Sequence, residues 1–221
     1  MDVSSIPRRV AERLFASRLR LSDGGERNRV EVDPTARLRS VTVEIDGQDN
    51  LVSIGRGARL RGVHIVCEGN GLRLVIGESV KIRCDAELIL RDEGSRIELG
   101  AKTSIESARI VSLEGRRIAL GPDCMLSYGI EIRNSDSHSI LDADTRERLN
   151  PAADVVLEEH VWVGAHVSIL KGARVGADSI IGLGSLVAGE FPRGVILVGR
   201  PASVRRTGVT WTPERVSSAK P

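Results

Sequence analysis

The residue best placed for chemistry in this chain is a histidine. His138 stands in the stretch 132–140, I-R-N-S-D-S-H-S-I, at the point where a regular pattern that fills much of the 221 residues stops. An imidazole accepts a proton near neutral pH, so a histidine set on a break in a repeat can serve as a general base. A base needs its other ring nitrogen held. Asp136, Asn134, Asp142 or a backbone carbonyl could do this. Asp136 is the preferred supporting residue, although it is close enough in sequence to pin the loop backbone instead. Ser137 and His138 with Asp136 do not form a nucleophilic triad, because adjacent residues of an extended chain point to opposite sides.

Other candidate groups read as structural. Cys67, Cys84 and Cys124 are odd in number and lie at no metal spacing, as expected of reduced thiols in a cytoplasmic protein. Cys124 falls in a small inward slot of the repeat and belongs to the core. His160 and His166 are six residues apart, and His64 lies far earlier. Six residues make one face of the repeat, so these two lie on neighbouring faces and cannot chelate one ion. A three-histidine zinc site could arise only across subunits, and no metal is expected.

The element that must position His138 is a repeat with a period no helix has. Coils start at Val32, Ile54, Ile76, Leu99, Leu120, Val163 and Ile181, and every start but Val32 is followed by glycine. The first four steps are 22, 22, 23 and 21 residues, and the last is 18. Within coils aliphatics recur every six residues, as in Leu157, Val163, Ile169, Val175, Ile181 and Val187. Three short strands per turn satisfy that period, each burying one aliphatic, with the glycine easing the corner. Stacked coils then pair as parallel sheets about 4.8 Å apart. With only 2% aromatic residues, the core must be filled by Val, Ile, Leu and Ala, which suits a narrow layered interior.

Composition bounds the rest. A net charge of +2 gives no overall field to steer nucleic acid, and no apolar run is long enough to span a membrane. The first ten residues lack the apolar core of a signal peptide. Val10, Leu14 and Leu21 suggest a short N-terminal helix that plugs the core or, at most, touches a membrane surface peripherally. The division expected is 1–30 as a helical cap, 31–206 as the β-helix with its protruding loop at 133–156, and 207–221 as a tail. From Arg193 onward six cations stand against one carboxylate, either as a solvated tail or as a landing place for phosphates.

The run V-G-A-H-V-S-I-L-K-G-A-R-V-G-A-D-S-I-I-G resembles the hexapeptide-repeat acyltransferases over about residues 32–206. D-x-H-x-I followed by N-P, then V-W-V-G, I-L-K-G and Gly199-Arg200-Pro201-Ala202, resembles the members that acetylate capsule and lipopolysaccharide sugars. The resemblance implies an all-β fold, a left-handed parallel β-helix. It implies transfer from acetyl-CoA to a carbohydrate hydroxyl, with His138 as base, no metal, and a homotrimer with coenzyme A between neighbouring prisms. Trp162 would then border the donor's arm or gate the acceptor. Ala165, Gly182 and Ser185 would let the arm approach the backbone, and Lys171, Arg200, Arg205 and Arg206 would meet its phosphates. The family commonly has Asn where this chain has Arg200. Acetylation of an amino sugar's nitrogen, and a non-catalytic β-helix scaffold, are the alternatives.

Overall fold

The structure is a computed structural model and describes residues 19–217. Among these residues the chain forms 23 strands and no helix. Inward aliphatics dictate the arrangement, one on most of the two-residue strands and two or more on the longer ones. Each strand can bury its aliphatics only by laying them over the equivalent residues one coil away, and parallel pairing in register does this. Leu60, Ile82, Ile105, Leu126, Val163, Ile181 and Leu197 form one unbroken column through seven paired strands. Each is at most 1% exposed. The product is a parallel β-solenoid.

Three stacks of strands make its faces. The first runs through Lys81–Ile82, Ser104–Ile105, Met125–Leu126, Trp162–Val163, Ile180–Ile181 and Val195–Gly199. The second runs through Ala86–Arg91, Ala108–Ser112, Ile130–Arg133, Ser168–Ile169 and Leu186–Val187. The third comprises eight strands from Arg29–Val32 to Glu190–Phe191. In the early coils the first two stacks merge. Arg37–Asp46 and Arg59–Glu68 are ten-residue strands that turn the edge without breaking, at Ser40 (φ 52°) and Gly62 (φ 61°).

The glycine after each coil-starting aliphatic has a different role from the one its position suggests. Gly100 and Gly121 do not have positive φ. A Cβ on Gly100 would stand 2.4 Å from the Gly121 carbonyl carbon, and one on Gly121 2.5 Å from that of Glu158. These glycines permit close approach of stacked corners. The left-handed backbone conformation falls two residues later, on Lys102, Asp123, His160, His166 and Asp178. His160 and His166 therefore occupy turn positions, where His and Asp are tolerated better than branched residues.

The expected N-terminal helix is not found among the described residues. Leu19–Asp23 is a strand, paired in parallel with 41–45. The backbone groups along the outer edge of Arg37–Asp46 need partners, which a strand supplies and a helix cannot. Leu21, assigned to a helical stripe, sits in this strand and is 44% exposed. Residues 1–18 lie outside the described residues.

The core column makes one firm demand. Val163→Asp buries an unpaired carboxylate between Leu126 and Ile181, at a cost of several kcal/mol. Loss of a cooperative thermal transition is the expected result, read by circular dichroism. A melting temperature equal to that of the unchanged protein would contradict the packing.

Candidate functional site

Among the described residues the ladder is interrupted once by a long loop, between Ile130–Arg133 and Val155–Leu157. The chain leaves at Asn134 and returns at Ala153, whose N–H donates to the Asn134 carbonyl at 3.0 Å. Asn134 is wholly buried, its Oδ1 accepting from the Leu113 N–H at 2.8 Å and its Nδ2 donating to Ser112 Oγ at 3.1 Å. The exit is thus tied to the coil beneath. The distal part is a small hairpin, with Leu149 N–H on the Ile140 carbonyl and Asp142 N–H on that of Glu147, both at 2.8 Å. The Asp142 carboxylate closes its turn by accepting from the Asp144 and Thr145 N–H groups at 3.0 and 2.8 Å.

His138 lies between exit and hairpin, just after Ser137 turns the chain with φ 66°. Its backbone is held by Asn150, a buried side chain that reaches three loop residues at once. Asn150 Nδ2 donates to the His138 carbonyl and to Asp136 Oδ2, both at 2.8 Å, while Oδ1 accepts from the Ile140 N–H at 2.7 Å. Lys171 of the following coil donates to the same Asp136 oxygen at 2.6 Å. Lys171, then Asn150, holds the Asp136 carboxyl below its ordinary range. A second clamp forms where Arg148 forks onto Glu114 at 2.7 and 2.9 Å and Ser135 Oγ donates to Glu114 at 2.5 Å. Arg148 first, and Ser135 next, bring the Glu114 carboxyl down to about 2.

The imidazole of His138 is exposed, and no other described residue bonds to it. Asp136, Asn134 and Asp142 all have other partners. Lys171, placed at a phosphate by resemblance, is here joined to Asp136. The clamping residues Asn150, Arg148 and Glu114 were not singled out in the sequence. Asn150 was visible only as half of the N-P pair.

Trp162 stands elsewhere, in the first stack between Met125 and Ile180, and is 39% exposed. The tail, unreadable in sequence, folds back beside it. Trp211 donates its indole N–H to the His160 carbonyl at 2.7 Å and stacks on the His160 ring at 4.3 Å. Its ring lies 6.0 Å from that of Trp162. Asp178 accepts from Arg193 at 2.6 Å and meets His160 Nδ1 at 3.0 Å; both contacts, Arg193 more strongly, lower its pKa. His166 packs edge-on against Tyr128 at 4.9 Å, a corner away from His160. Among the described residues no group of three or more His, Cys, Asp or Glu could hold a metal ion.

The remaining site residues gather on the last coils. Ala165 is buried. Gly182 leaves room for Val198, whose Cγ2 would be 2.9 Å from a Cβ there. Ser185 is buried, its hydroxyl accepting from the Gly199 N–H at 3.2 Å. Arg200 reaches the Gly184 carbonyl at 3.4 Å. Arg205 and Arg206 are exposed on the antiparallel strand Ala202–Thr207, without side-chain partners among the described residues. His138 leaves the prism between the second and third stacks, whereas Trp162 belongs to the first. One chain does not bring them onto the same face.

No family model matches the chain. A polysialic acid O-acetyltransferase of Escherichia coli O1:K1 / APEC is 29% identical over 123 residues, 56% of this chain and 40% of the relative. One from Neisseria meningitidis is 43% identical over 76 residues, 34% of this chain and 35% of the relative. The chain thus spans well under two thirds of these relatives' lengths. In three dimensions the polysialic acid O-acetyltransferase OatWY superposes with a TM-score of 0.86 at 28% identity, covering 90% of this chain and 94% of that one. The polySia-specific acetyltransferase NeuO gives 0.78 at 27%, covering 92% and 85%. The chain resembles the hexapeptide-repeat sugar O-acetyltransferases. That resemblance, expected from the motifs, holds in sequence and in fold.

Two measurements test the clamps. Asn150→Asp sets a second carboxylate beside Asp136, so trypsin should cut after Arg146 or Arg148 faster at neutral pH, with the melting temperature little changed. Equal cutting would mean that Asn150 does not hold the loop. The second concerns Glu114, whose pKa is lower folded than unfolded. Its stabilising contribution is complete above its ordinary value, near 4.5, and is lost as pH falls towards about 2. Glu114→Gln should therefore lower the melting temperature at pH 7, and the gap should narrow steadily below pH ~4.5. A gap independent of pH would contradict the ion pair.

Proposed function

We propose that the chain is a coenzyme A-dependent O-acetyltransferase that moves an acetyl group from acetyl-CoA to a hydroxyl of a polysaccharide or glycan precursor. The observation that carries the reading is His138 itself: an exposed, unbonded imidazole whose backbone is clamped by a buried asparagine at the one long break in the ladder. The curated relatives are named for O-acetylation of polysialic acid, which makes a sialic acid polymer the first acceptor to try. The solenoid would be left-handed, as in the resembled family.

The mechanism is direct transfer. His138 takes the proton of the acceptor hydroxyl, and the oxygen attacks the thioester carbonyl. The carbon–sulfur bond breaks, the sulfur takes the proton back from His138 so that the coenzyme leaves as its thiol, and the new ester carries the acetyl group. A backbone N–H steadies the oxyanion. Asp136 acts by holding the loop, through Lys171 and Asn150. Lys171 is then a loop anchor, and the phosphates fall to Arg200, Arg205 and Arg206, the cations left at the C-terminal end. Ala165, buried, Gly182, packed against Val198, and Ser185, holding the Gly199 N–H, shape the backbone there along which the arm would run. Trp162 borders the donor's arm.

His138 and Trp162 lie on different sides of one prism, so a site using both is complete only between copies. A homotrimer with the donor between neighbouring prisms meets that need. The free thiols of Cys67, Cys84 and Cys124 suit a reducing compartment such as the cytoplasm. No described helix is long and apolar enough to cross a membrane.

The test follows acetyl-CoA turnover as free thiol, with polysialic acid and a panel of neutral and amino sugars as acceptors. His138→Ala should lower kcat by about 10²–10⁴-fold, with donor affinity nearly unchanged. His160→Ala and His166→Ala should retain most activity. Near-normal turnover by His138→Ala would rule out the base. For the donor, Arg205→Ala or Arg206→Ala should weaken coenzyme A binding, and added salt should do the same. Equal affinity of coenzyme A for both variants and the unchanged protein would remove these arginines from the site.

A further inference from the structure

On the first stack, Arg37, Arg59 and Lys81 stand in register on three successive coils. Arg39 and Arg61 form a second pair two residues along the same outward face. All five are exposed, and none has a side-chain partner among the described residues. Their neighbours are treated differently. Arg56 is paired with Glu78 at 2.7 Å, Arg83 with Glu106 at 2.9 Å, Arg91 with Glu68 at 2.6 Å and Arg109 with Glu87 at 2.8 Å. Asp33, beside the column, accepts from Thr35. Asp85 lies beside Gly62, next to Arg61, but no hydrogen bond or ion pair joins it to these cations, and a block of like charge remains at coil spacing. Like charges directly opposite on paired strands repel, so the block is electrostatically unfavourable until an anion lies across it.

The position of the block matters as much as its charge. The register continues from Lys81 through Ser104 and Met125 to Trp162 without a break. At coil spacing, Lys81 is about 14 Å and Arg37 about 24 Å from Trp162 along one straight column. A single sugar cannot reach both ends, whereas an extended chain can.

We propose that Arg37, Arg39, Arg59, Arg61 and Lys81 form a remote binding site for an anionic polysaccharide, so that the acceptor is a charged polymer held along this face. This rests on the reading of the chain as a glycan acetyltransferase and gives that reading its substrate class. The block carries no aromatic side chain, and a site for single-stranded nucleic acid would be expected to stack bases on such rings. The chemistry recognised is a row of carboxylates or phosphates on a flexible chain, met by exposed guanidinium and ammonium groups.

The test uses the full chain, polysialic acid of graded length, dextran as a neutral polymer and single-stranded DNA. Arg59→Glu with Lys81→Glu is the main variant. Arg59→Gln with Arg61→Gln is a milder one, and melting curves show that both are folded. Long polysialic acid should show KM raised by about tenfold or more in the charge-reversed protein, with kcat and the KM for a short sialic acid oligomer little changed. Binding to the unchanged protein should weaken with salt more steeply than binding to either variant. Equal KM for long chains in variant and unchanged protein would overturn the site. So would dextran binding as tightly as polysialic acid, or DNA binding more tightly and displacing it. Salt- and variant-sensitive binding of polysialic acid without turnover on any acceptor would uphold the site and sink the acetyltransferase reading.

Discussion

Among the described residues, successive coils are held together by parallel backbone hydrogen bonds and by the inward aliphatics of their strands. The pairing must be in register, because slipping a strand by one residue would turn its aliphatic outward and a charge inward. The column from Leu60 to Leu197 is the visible result. Close approach of the corners follows from the same constraint, which is why Gly100 and Gly121 cannot carry a Cβ. Outward residues are carried along by this register. Cations 22 residues apart in sequence therefore become neighbours in space, whether in ion pairs or in the unpaired block of the first stack.

A break in such a ladder leaves the backbone on either side to be satisfied by other means. The loop does this with side chains. Asn134 takes the Leu113 N–H at its base, Asn150 takes the Ile140 N–H and holds the His138 carbonyl, and Arg148 and Ser135 converge on Glu114. The histidine is thereby fixed through its backbone while its ring stays unengaged. No carboxylate bonds that ring among the described residues, and amide and ion-pair contacts order the chain around it.

Much of the architecture could be read from the chain because the six-residue period is written in residue type. Val, Ile or Leu is required at each inward position, and the stops at 132 and 157 frame the loop. Leu21 fits a helical stripe in the sequence, but the edge of Arg37–Asp46 calls for a strand, and Leu19–Asp23 supplies it; Val10 and Leu14 lie outside the described residues. Candidate residues could be picked out where a motif names them, as with His138 and Trp162. They were hidden where their role is set by a partner distant in sequence. Lys171 meets Asp136 across 35 residues, Arg148 meets Glu114 across 34, and Trp211 meets His160 across 51. Their types alone would have suited a solvated surface equally well. The arginine block was hidden in another sense. Its spacing was visible, but its lack of carboxylate partners becomes apparent only when the ion pairs around it are known.

If the proposed function is right, the prism stands without the loop and the loop carries the chemistry. Because the Ala153 N–H already bonds the Asn134 carbonyl, residues 135–152 can be replaced by a short Gly-Ser corner without moving the flanking strands. The decisive measurement is acetyl-CoA turnover on polysialic acid by this shortened chain, taken beside its melting curve and its coenzyme A affinity. A folded protein that still binds coenzyme A and transfers no acetyl group is the expected result. Retained turnover would place the chemistry elsewhere on the prism and contradict the role of His138.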